Sequence, residues 1–352
     1  MKILTAVSWI ILFFLLNTCS ETPTNSDYNN QPGVRDYQWS IDTIRSGSIQ
    51  TYLTSLWGNS SKNVWASGYD ADNVKCIYFF SGTHWSPVFI PATYFIKQFY
   101  AMEGRNSDNI FFVGKANYFN PSPPPNFLDS ALVLQYLNGT WKYHNITNAA
   151  PLYSLCLVNE NEVWAGGAKG NLLRYRGTNW VKYFVGNEDV LINGLVSNNS
   201  NVIFATGHQE KFIPGQGAYL ADYLYQFNGT QWTLIDSNII SSNFNRLSFP
   251  TLLRNINGNI FGSGEIGFVK KAGDSWQVIK SGIYGQFNGT NENNIFLANQ
   301  DFGVLHYNGK DWYRFDELPS LSYYDVEVFD DAVFILATDG YSSYIVKGII
   351  NK

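Results

Sequence analysis

The residues of this 352-residue chain that could carry out acid–base chemistry are carboxylates scattered between runs of aromatic residues. A glycosidase needs two carboxyl groups that face each other across its substrate. Six acidic residues in the predicted turns could supply such a pair: Asp70, Asp72, Glu210, Asp222, Glu265 and Asp301. Their spacing singles out no pair, so a carbohydrate-active enzyme stays an alternative hypothesis and not the leading one.

The sequence shows no motif for a metal, a cofactor or an activated nucleophile. Asp70-Ala71-Asp72-Asn73 is similar to the start of a calcium loop, but the glycine and the distal glutamate of such a loop are missing. The four histidines are scattered, and with the cysteines they form no zinc pattern. Gly-x-Ser-x-Gly, phosphate-loop and dinucleotide-binding motifs are absent as well. We therefore predict a protein without metal or cofactor.

The first 19 residues, MKILTAVSWIILFFLLNTC, indicate export. Lys2 precedes an apolar run, Ile3–Leu16, that is shorter than the roughly 20 residues of a membrane-spanning helix. Leu16-Asn17-Thr18-Cys19 resembles a bacterial lipobox, in which leucine stands three residues before the lipid-modified cysteine. The resemblance implies a signal peptide over residues 1–18 and a lipid-modified (palmitate-bearing) Cys19. A plain secretory signal peptide is the alternative.

The stretch after Cys19 is polar and rich in Ser, Thr, Asn and Pro, a composition that cannot bury a core. We predict a flexible tether over residues 19–35 and one folded domain over residues 36–352. Ser20 stands where an aspartate would be associated with the inner membrane of enterobacteria, so the resemblance implies the outer membrane of a bacterial cell envelope.

Composition favours β-strands. Aromatic residues make up 17% of the chain, charged residues only 14%, and there are 30 glycines, a mixture typical of many short strands joined by tight turns. Beyond the N-terminus no segment shows sustained helical periodicity. The net charge of −5 and the lack of a basic cluster argue against nucleic acid as a partner.

Two phrases recur along the chain. The first phrase is an apolar residue and an aromatic, usually followed by Ala-x-Gly, and the second is a glycine followed two or three residues later by tryptophan. The aromatics of the first phrase are Trp65, Phe111, Trp164, Phe204, Phe261, Phe296 and Phe334; the tryptophans of the second are Trp85, Trp141, Trp180, Trp232, Trp276 and Trp312. Such a repeat predicts a β-propeller of four-stranded blades, seven in number with six as the fallback.

The unequal number of phrases predicts how the ring closes. The final copy of the first phrase, at Phe334, has no tryptophan after it. Trp39, in contrast, lies in a strand that no copy of the first phrase precedes. We predict that the Trp39 strand completes the C-terminal blade, because this closure leaves no open sheet edge at the seam. The aromatics of both phrases are expected to pack between blades.

The phrases "NVWASG…SGTHW" and "EVWAGG…RGTNW" resemble the repeats of propellers in exported bacterial proteins and lipoproteins, near the sialidase Asp-box and photosystem II assembly-factor propellers. The resemblance covers residues 36–350 and implies fold more than chemistry. A true Asp-box has Ser-x-Asp before the glycine, which is missing here. Sialidase chemistry would need an arginine cluster, and the eight arginines do not recur at equivalent turns.

Insertions mark the face where a binding site is expected. The two phrases are 15 or 16 residues apart in three repeats, but 20, 30 and 28 apart in blades 1, 2 and 4. We assign the extra residues to loops between strands b and c, which share one face of a propeller, and long loops on rigid scaffolds usually carry binding. The candidate ligand-binding residues are Tyr69, Asp70, Tyr118, Phe119, Phe127, His208, Phe212 and Tyr219.

The leading hypothesis is a membrane-tethered, monomeric lipoprotein that acts as a non-catalytic binding or assembly module. Aromatic rings beside amides and carboxylates suit a carbohydrate or an envelope or extracellular protein as partner. A purely structural scaffold in an envelope complex is a third hypothesis. Cys76 and Cys156 are predicted to be buried and unpaired.

Overall fold

Seven four-stranded antiparallel sheets form a closed ring, a seven-bladed β-propeller. The computed structural model describes residues 33–45, 50–70, 75–93, 95–119, 121, 127–198, 202–214, 217–240 and 249–351. The predicted signal peptide, Cys19 and most of the predicted tether lie outside these residues. Within them, no helix is long and apolar enough to cross a membrane. The predicted fold and the blade count of seven are confirmed.

Each blade runs from an inner strand a at the channel to an outer strand d. In this order the strands are β2 (Thr51–Ser60), β3 (Asn63–Asp70), β4 (Ile77–Phe80) and β5 (Trp85–Pro87) in blade 1; β6 (Ile96–Asn106), β7 (Asn109–Phe119), β8 (Phe127–Leu137) and β9 (Thr140–Tyr143) in blade 2; β10 (Leu152–Asn159), β11 (Glu162–Gly167), β12 (Asn171–Tyr175) and β13 (Trp180–Phe184) in blade 3; β14 (Val190–Ser197), β15 (Ile203–Ile213), β16 (Gly217–Phe227) and β17 (Trp232–Ile240) in blade 4. They continue with β18 (Leu252–Ile256), β19 (Asn259–Gly264), β20 (Gly267–Ala272) and β21 (Ser275–Lys280) in blade 5; β22 (Gln286–Asn291), β23 (Asn294–Asn299), β24 (Gly303–Tyr307) and β25 (Trp312–Arg314) in blade 6; and β26 (Ser322–Val328), β27 (Ala332–Thr338), β28 (Ser343–Ile350) and β1 (Tyr37–Ile44) in blade 7.

The ring closes through β1, as the sequence predicts. This strand pairs antiparallel with β28, from Tyr37 opposite Ile350 to Ile44 opposite Ser343. The Trp39 ring covers Gly348, where a Cβ atom would lie 2.6 Å from the indole. Because both ends of the chain share one sheet, the seam has no unpaired strand edge, and the ring cannot open without breaking this ladder.

The two phrases of the repeat meet across the boundary between one blade and the next. Trp164 of β11 is fully buried, and its ring centroid lies 5.3 Å from that of Trp232 in blade 4. The Trp164 indole donates a hydrogen bond to Glu162 Oε1 (2.7 Å), which also receives one from Arg174 Nε (2.9 Å). The Trp65–Trp141, Phe111–Trp180 and Phe334–Trp85 pairs repeat this contact. The predicted packing between blades is therefore confirmed.

The inner strands carry unpaired backbone groups toward the channel, and side chains of neighbouring blades satisfy several of them. These hydrogen bonds join Leu56 N to Asp325 Oδ2 (2.9 Å), Met102 N to Ser55 Oγ (3.3 Å) and Leu157 N to Glu103 Oε2 (3.1 Å). Polar residues of strand a therefore link the blades at the axis, in addition to the apolar packing further out.

Two further predictions concern isolated residues. Cys76 and Cys156 are buried and unpaired, as expected. Gly33 and Arg35, which we assigned to the tether, contact blade 6 instead: Gly33 N donates to Asn308 O (3.2 Å), and Arg35 Nη2 donates to Asp311 O (2.7 Å). The last three residues of the predicted tether, residues 33–35, therefore adjoin the propeller.

Candidate binding face

The inserted residues of blades 2 and 4 lengthen strands b and c instead of forming loops. β7 and β8 are 11 residues long, as are β15 and β16, whereas β11 and β12 of blade 3 have 6 and 5. The ladder continues from Asn109 opposite Leu137 up to Phe119 opposite Phe127. Our expectation of b–c loops was wrong here, because paired strands satisfy the backbone of a long insertion better than an open loop does. We call this side of the ring the upper face.

The predicted aromatic residues of blade 2 lie at the end of its hairpin. Phe119 and Phe127 are 66% and 51% exposed, and their rings meet edge to face at 5.5 Å. Tyr118 instead packs on Phe95, with ring centroids 4.9 Å apart. The hairpin therefore offers one exposed pair of phenylalanines, and Tyr118 helps to fix it to the ring.

The predicted residues of blade 4 divide between a polar pair and an exposed ring. His208 Nδ1 and Asp222 Oδ1 are 2.7 Å apart, and this hydrogen bond raises the pKa of His208 above its usual value. Phe212 is 74% exposed near the end of the hairpin. Tyr219 contacts the hydroxyl of Tyr223.

In blade 1 the two predicted residues have opposite surroundings. The Tyr69 ring lies 5.3 Å from that of Tyr52 at the upper end of the channel. Asp70 is only 5% exposed, and its Oδ2 accepts a hydrogen bond from Lys75 N (3.2 Å). Asp70 is thus placed to fix its turn, whereas Tyr69 belongs to a larger group of tyrosines.

The centre of the upper face is organised by a feature that was not predicted from the sequence. In five blades the inner strand has a β-bulge near its upper end, which adds one residue to the strand and changes the direction of its side chain. The added residues, all of which line the upper part of the channel, are Thr54, Tyr100, Tyr153, Asn193 and Tyr324. Because the bulges occur at equivalent positions of their strands, three tyrosines lie around one opening.

A glycine in strand b marks most of these bulges and could have located them in the sequence. The residue before the bulge pairs with Gly68, Gly114, Gly167 or Gly207 in four of the five blades. A Cβ atom on any of the first three would lie 1.9 Å from a backbone carbonyl oxygen, which belongs to strand a for Gly68 and Gly114 and to Pro151, just before strand a, for Gly167. The glycine that ends the first phrase is therefore a steric requirement of the bulged strand.

Five tyrosines from four neighbouring blades form what we call the tyrosine arc: Tyr52, Tyr69, Tyr100, Tyr153 and Tyr324. The Tyr100 and Tyr153 rings stack at 4.7 Å with an interplanar angle of 18°. Burial, followed by the nearby Tyr52 and Tyr324, raises the pKa of Tyr69. Burial likewise raises the pKa of Tyr100 and of Tyr153, so these hydroxyls keep their protons and can donate hydrogen bonds.

Below the arc the channel continues as two cavities of about 160 and 320 Å³. Their charged lining residues are Glu103, Arg254, Asp325 and Glu327. Arg254 Nη2 lies 3.0 Å from Asp325 Oδ1. Burial raises the pKa of Glu103 to about 7 and that of Glu327 to about 8, although Arg254 acts to lower both. The channel therefore holds more carboxyl groups than cationic ones.

Two of the acidic residues that were predicted as candidates for catalysis hold hydrogen bonds to neighbouring side chains, and Asp72 lies outside the described residues. Asp222 bonds to His208, and Asp301 Oδ2 accepts a hydrogen bond from the Tyr284 hydroxyl (2.7 Å). Within the part of the chain that the structure describes, no three His, Cys, Asp or Glu side chains are grouped as metal ligands would be. The carboxyl groups with raised pKa values lie in the channel and were not among the predicted residues.

Comparison with known proteins supports the fold alone. No protein-family model matches the chain, and no curated protein does. Similar solved structures include YCF48 bound to D1 peptide (12% identity, TM-score 0.60, 92% of this chain and 98% of that chain covered) and YCF48 from Cyanidioschyzon merolae (13%, 0.53, 88% and 98%). The Neurospora crassa Pan2 WD40 domain is similar as well (10%, 0.58, 91% and 98%). The resemblance to photosystem II assembly-factor propellers is thus confirmed at the level of fold.

Proposed function

We propose that this chain is a non-catalytic binding module that holds a segment of a partner protein on its upper face, across the tyrosine arc. The observation that carries the proposal is the set of β-bulges that direct Tyr100, Tyr153 and Tyr324 into one opening. Bulges occur preferentially where a strand must re-aim a side chain next to a functional site. Tyrosine supplies apolar contact area and a hydrogen-bonding hydroxyl at low entropic cost, which suits recognition of a peptide.

The hairpins add contact area beside the arc. Phe119, Phe127 and Phe212 are exposed on the same face, and large aromatic residues dominate the energy of protein interfaces. One structurally similar propeller, YCF48, has been solved with a D1 peptide. At 12% identity this supports the proposal by showing that a propeller of similar size holds a peptide, and it says nothing about the sequence bound here.

The experiment that tests this function is selection of peptides from a random phage-displayed library by the immobilised full chain. Enriched phage should be retained about ten-fold less well, or worse, by a Tyr100→Ala/Tyr153→Ala variant, since interface tyrosines often contribute more than 1.4 kcal/mol. Phe184→Ala, which removes an exposed ring (56%) from the outer strand β13, is the matched control. Failure to enrich any peptide, or equal loss in both variants, would contradict the proposal.

We also propose that the chain is exported and tethered by lipid at Cys19 to the bacterial outer membrane. This rests on the sequence of residues 1–19 alone. Cys19→Ala should abolish palmitate labelling and release the protein from the membrane fraction of an expressing bacterium, whereas Thr18→Ala should keep both. Undiminished membrane attachment of the Cys19→Ala variant would show that a lipid on Cys19 does not anchor the protein.

A carbohydrate-active enzyme is the second candidate, because Glu103 and Glu327 have pKa values near 7 and 8 in the channel. A raised pKa is what a general acid needs at neutral pH. Both groups also hold protein hydrogen bonds, from Leu157 N and from Asn288 Nδ2, which points to a structural use. Turnover of 4-methylumbelliferyl glycosides that Glu103→Gln abolishes would favour the enzyme; glycan retention without turnover would favour a carbohydrate-binding module.

A further inference from the structure

We propose that the partner segment inserts a cationic side chain, lysine or arginine, between the rings of the tyrosine arc and into the channel below. This inference rests on the proposed function, since it names the chemistry by which the same site recognises its partner. It follows from three independent properties of the channel: its aromatic opening, its charge and its size.

The opening suits a cation because aromatic faces attract positive charge. Tyr100 and Tyr153 stack at 4.7 Å, and Tyr324 of the same arc is 47% exposed at this opening. A cation within about 6 Å of a tyrosine face is attracted by the charge distribution of the ring, and more strongly where water is excluded. The Tyr100 hydroxyl already donates to Gln98 Oε1 (2.6 Å), so its lone pairs stay open to a ligand N–H group.

The charge below the opening selects against an anionic group. Arg254 pairs with Asp325, and this pair is neutral overall. Among the ion pairs of the described residues, neither Glu103 nor Glu327 has a partner, and each accepts a hydrogen bond from a neutral donor instead. An incoming ammonium or guanidinium group would supply the missing counter-charge, whereas a carboxylate would meet three carboxyl groups around one arginine.

The size of the upper cavity favours a single side chain over a larger ligand. The upper cavity measures about 160 Å³. Pockets for drug-sized molecules run from roughly 300 to 1,000 Å³, so a sugar ring with its hydration would not fit the upper cavity well. An extended lysine or arginine side chain can pass through it while the backbone of the segment stays on the upper face.

The test uses five-residue alanine peptides, acetylated and amidated, with lysine, arginine, norleucine or glutamate at the centre, titrated into the full chain by calorimetry. We expect the lysine or arginine peptide to bind about ten-fold more tightly than the norleucine peptide, and the glutamate peptide most weakly. Glu103→Gln/Glu327→Gln should remove this preference. Glu188→Gln/Glu317→Gln, which removes the same charge from exposed positions, should keep it.

A second readout separates a ligand contact from a merely structural role of the two glutamates. A cation favours the ionised carboxyl groups, so binding at pH 7.5 should release protons, measured as a dependence of the binding enthalpy on the ionisation enthalpy of the buffer. Affinity should rise between pH 6 and 9 for the lysine peptide and stay flat for norleucine. The titratable and charged groups that line this part of the channel are Tyr100, Glu103, Tyr153, Cys156, Arg254, Tyr324, Asp325 and Glu327. Arg105 also acts on Glu103 and lowers its pKa, but less than Arg254 does.

The outcomes distinguish this inference from the function on which it rests. Equal affinity for the lysine and norleucine peptides, both lost in Tyr100→Ala/Tyr153→Ala, would overturn the cation preference and leave peptide binding in place. Absence of binding by every peptide, together with no enrichment from the phage library, would overturn both. A melting curve for each variant shows whether it is folded, and the single Glu327→Gln replaces the double variant if that does not fold.

Discussion

The lower face of the ring repeats one turn chemistry from blade to blade, whereas the upper face differs in almost every blade. At the lower a–b turns an asparagine side chain accepts a hydrogen bond from the backbone two residues on: Asn106 from Asp108 N, Asn159 from Asn161 N and Asn291 from Asn293 N. The c–d turns use glycine at positive φ, as at Gly139 (79°) and Gly309 (90°). Such turns fix the register of the hairpins in which they occur, and the same solution recurs in several blades.

The upper face carries the departures from the repeat. Blades 2 and 4 extend 11-residue strands above it, and five blades add a bulged residue at the channel. Neither feature is needed to close the ring, since blades 5 and 6 lack both. The contrast teaches that here the regular residues specify the architecture and the irregular ones mark the place where a partner is expected to bind.

The largest expected effect is a loss of stability when a core aromatic residue is replaced, and an exposed aromatic residue serves as its comparison. Trp164→Ala removes a fully buried ring that packs on Trp232 and donates to Glu162, and we expect a loss of about 3–5 kcal/mol in the free energy of unfolding. Urea unfolding followed by tryptophan fluorescence measures it. Phe212→Ala on the upper hairpin, 74% exposed, should change stability by less than about 0.5 kcal/mol. Comparable losses would mean that the hairpin is part of the core.

Two glycine substitutions, one on each face of the ring, compare how strongly stability and peptide binding depend on each face. Gly114→Ala places a Cβ atom 1.9 Å from Gln98 O beside the Tyr100 bulge, so the strands must shift, at a cost of about 1–3 kcal/mol. Gly139→Ala meets no atom within 4 Å, and its positive φ alone should cost about 1 kcal/mol. Only Gly114→Ala should also weaken retention of selected peptides, measured with phage at a temperature where both variants are folded. Equal retention would separate the bulge from binding.

Much of the ring could be predicted from the sequence because the same pattern of aromatic and glycine residues occurs in each repeat. The spacing of aromatic and glycine residues gave seven blades, and the unmatched strand at Trp39 gave the closure. Each blade is one more sample of the same pattern, so a weak signal in one unit, such as Phe204, is recovered from the others.

The site could be predicted only in part, because its residues depart from the repeat one at a time. Tyr69 was found through an insertion beside it, but Tyr100 and Tyr153 occupy inner strands whose sequences resemble any half-buried strand. A bulge adds a single residue and leaves composition unchanged; only the glycine opposite it, as at Gly114, leaves a trace. The acidic residues that line the channel come from strands far apart in the chain, so their spacing in the sequence does not show that they lie close together.

The channel itself predicts an unusual dependence of stability on pH. The folded protein raises the pKa of Glu103 to about 7 and of Glu327 to about 8, so between pH 5 and 8 it holds protons that the unfolded chain has lost. Stability should therefore fall as pH rises, by about 2–3 kcal/mol from pH 6.5 to 8.5. Urea midpoints measure this fall, and Glu103→Gln/Glu327→Gln should flatten it while Glu188→Gln/Glu317→Gln should not. An unchanged slope in the channel variant would mean that both carboxyl groups ionise normally.

The smallest expected effect is a change in the pH dependence of stability, for which one histidine from each face is compared. The hydrogen bond to Asp222 raises the pKa of His208, so its stabilising charge is present at low pH and is lost as pH rises through that raised value. Because His208 is partly exposed, we expect His208→Gln to lower stability by less than about 1 kcal/mol at pH 5.5, and by still less at pH 8.5. His84→Gln, at an exposed lower turn, should show no such difference in urea midpoints. Matching pH behaviour in the two variants would remove the electrostatic distinction between the faces.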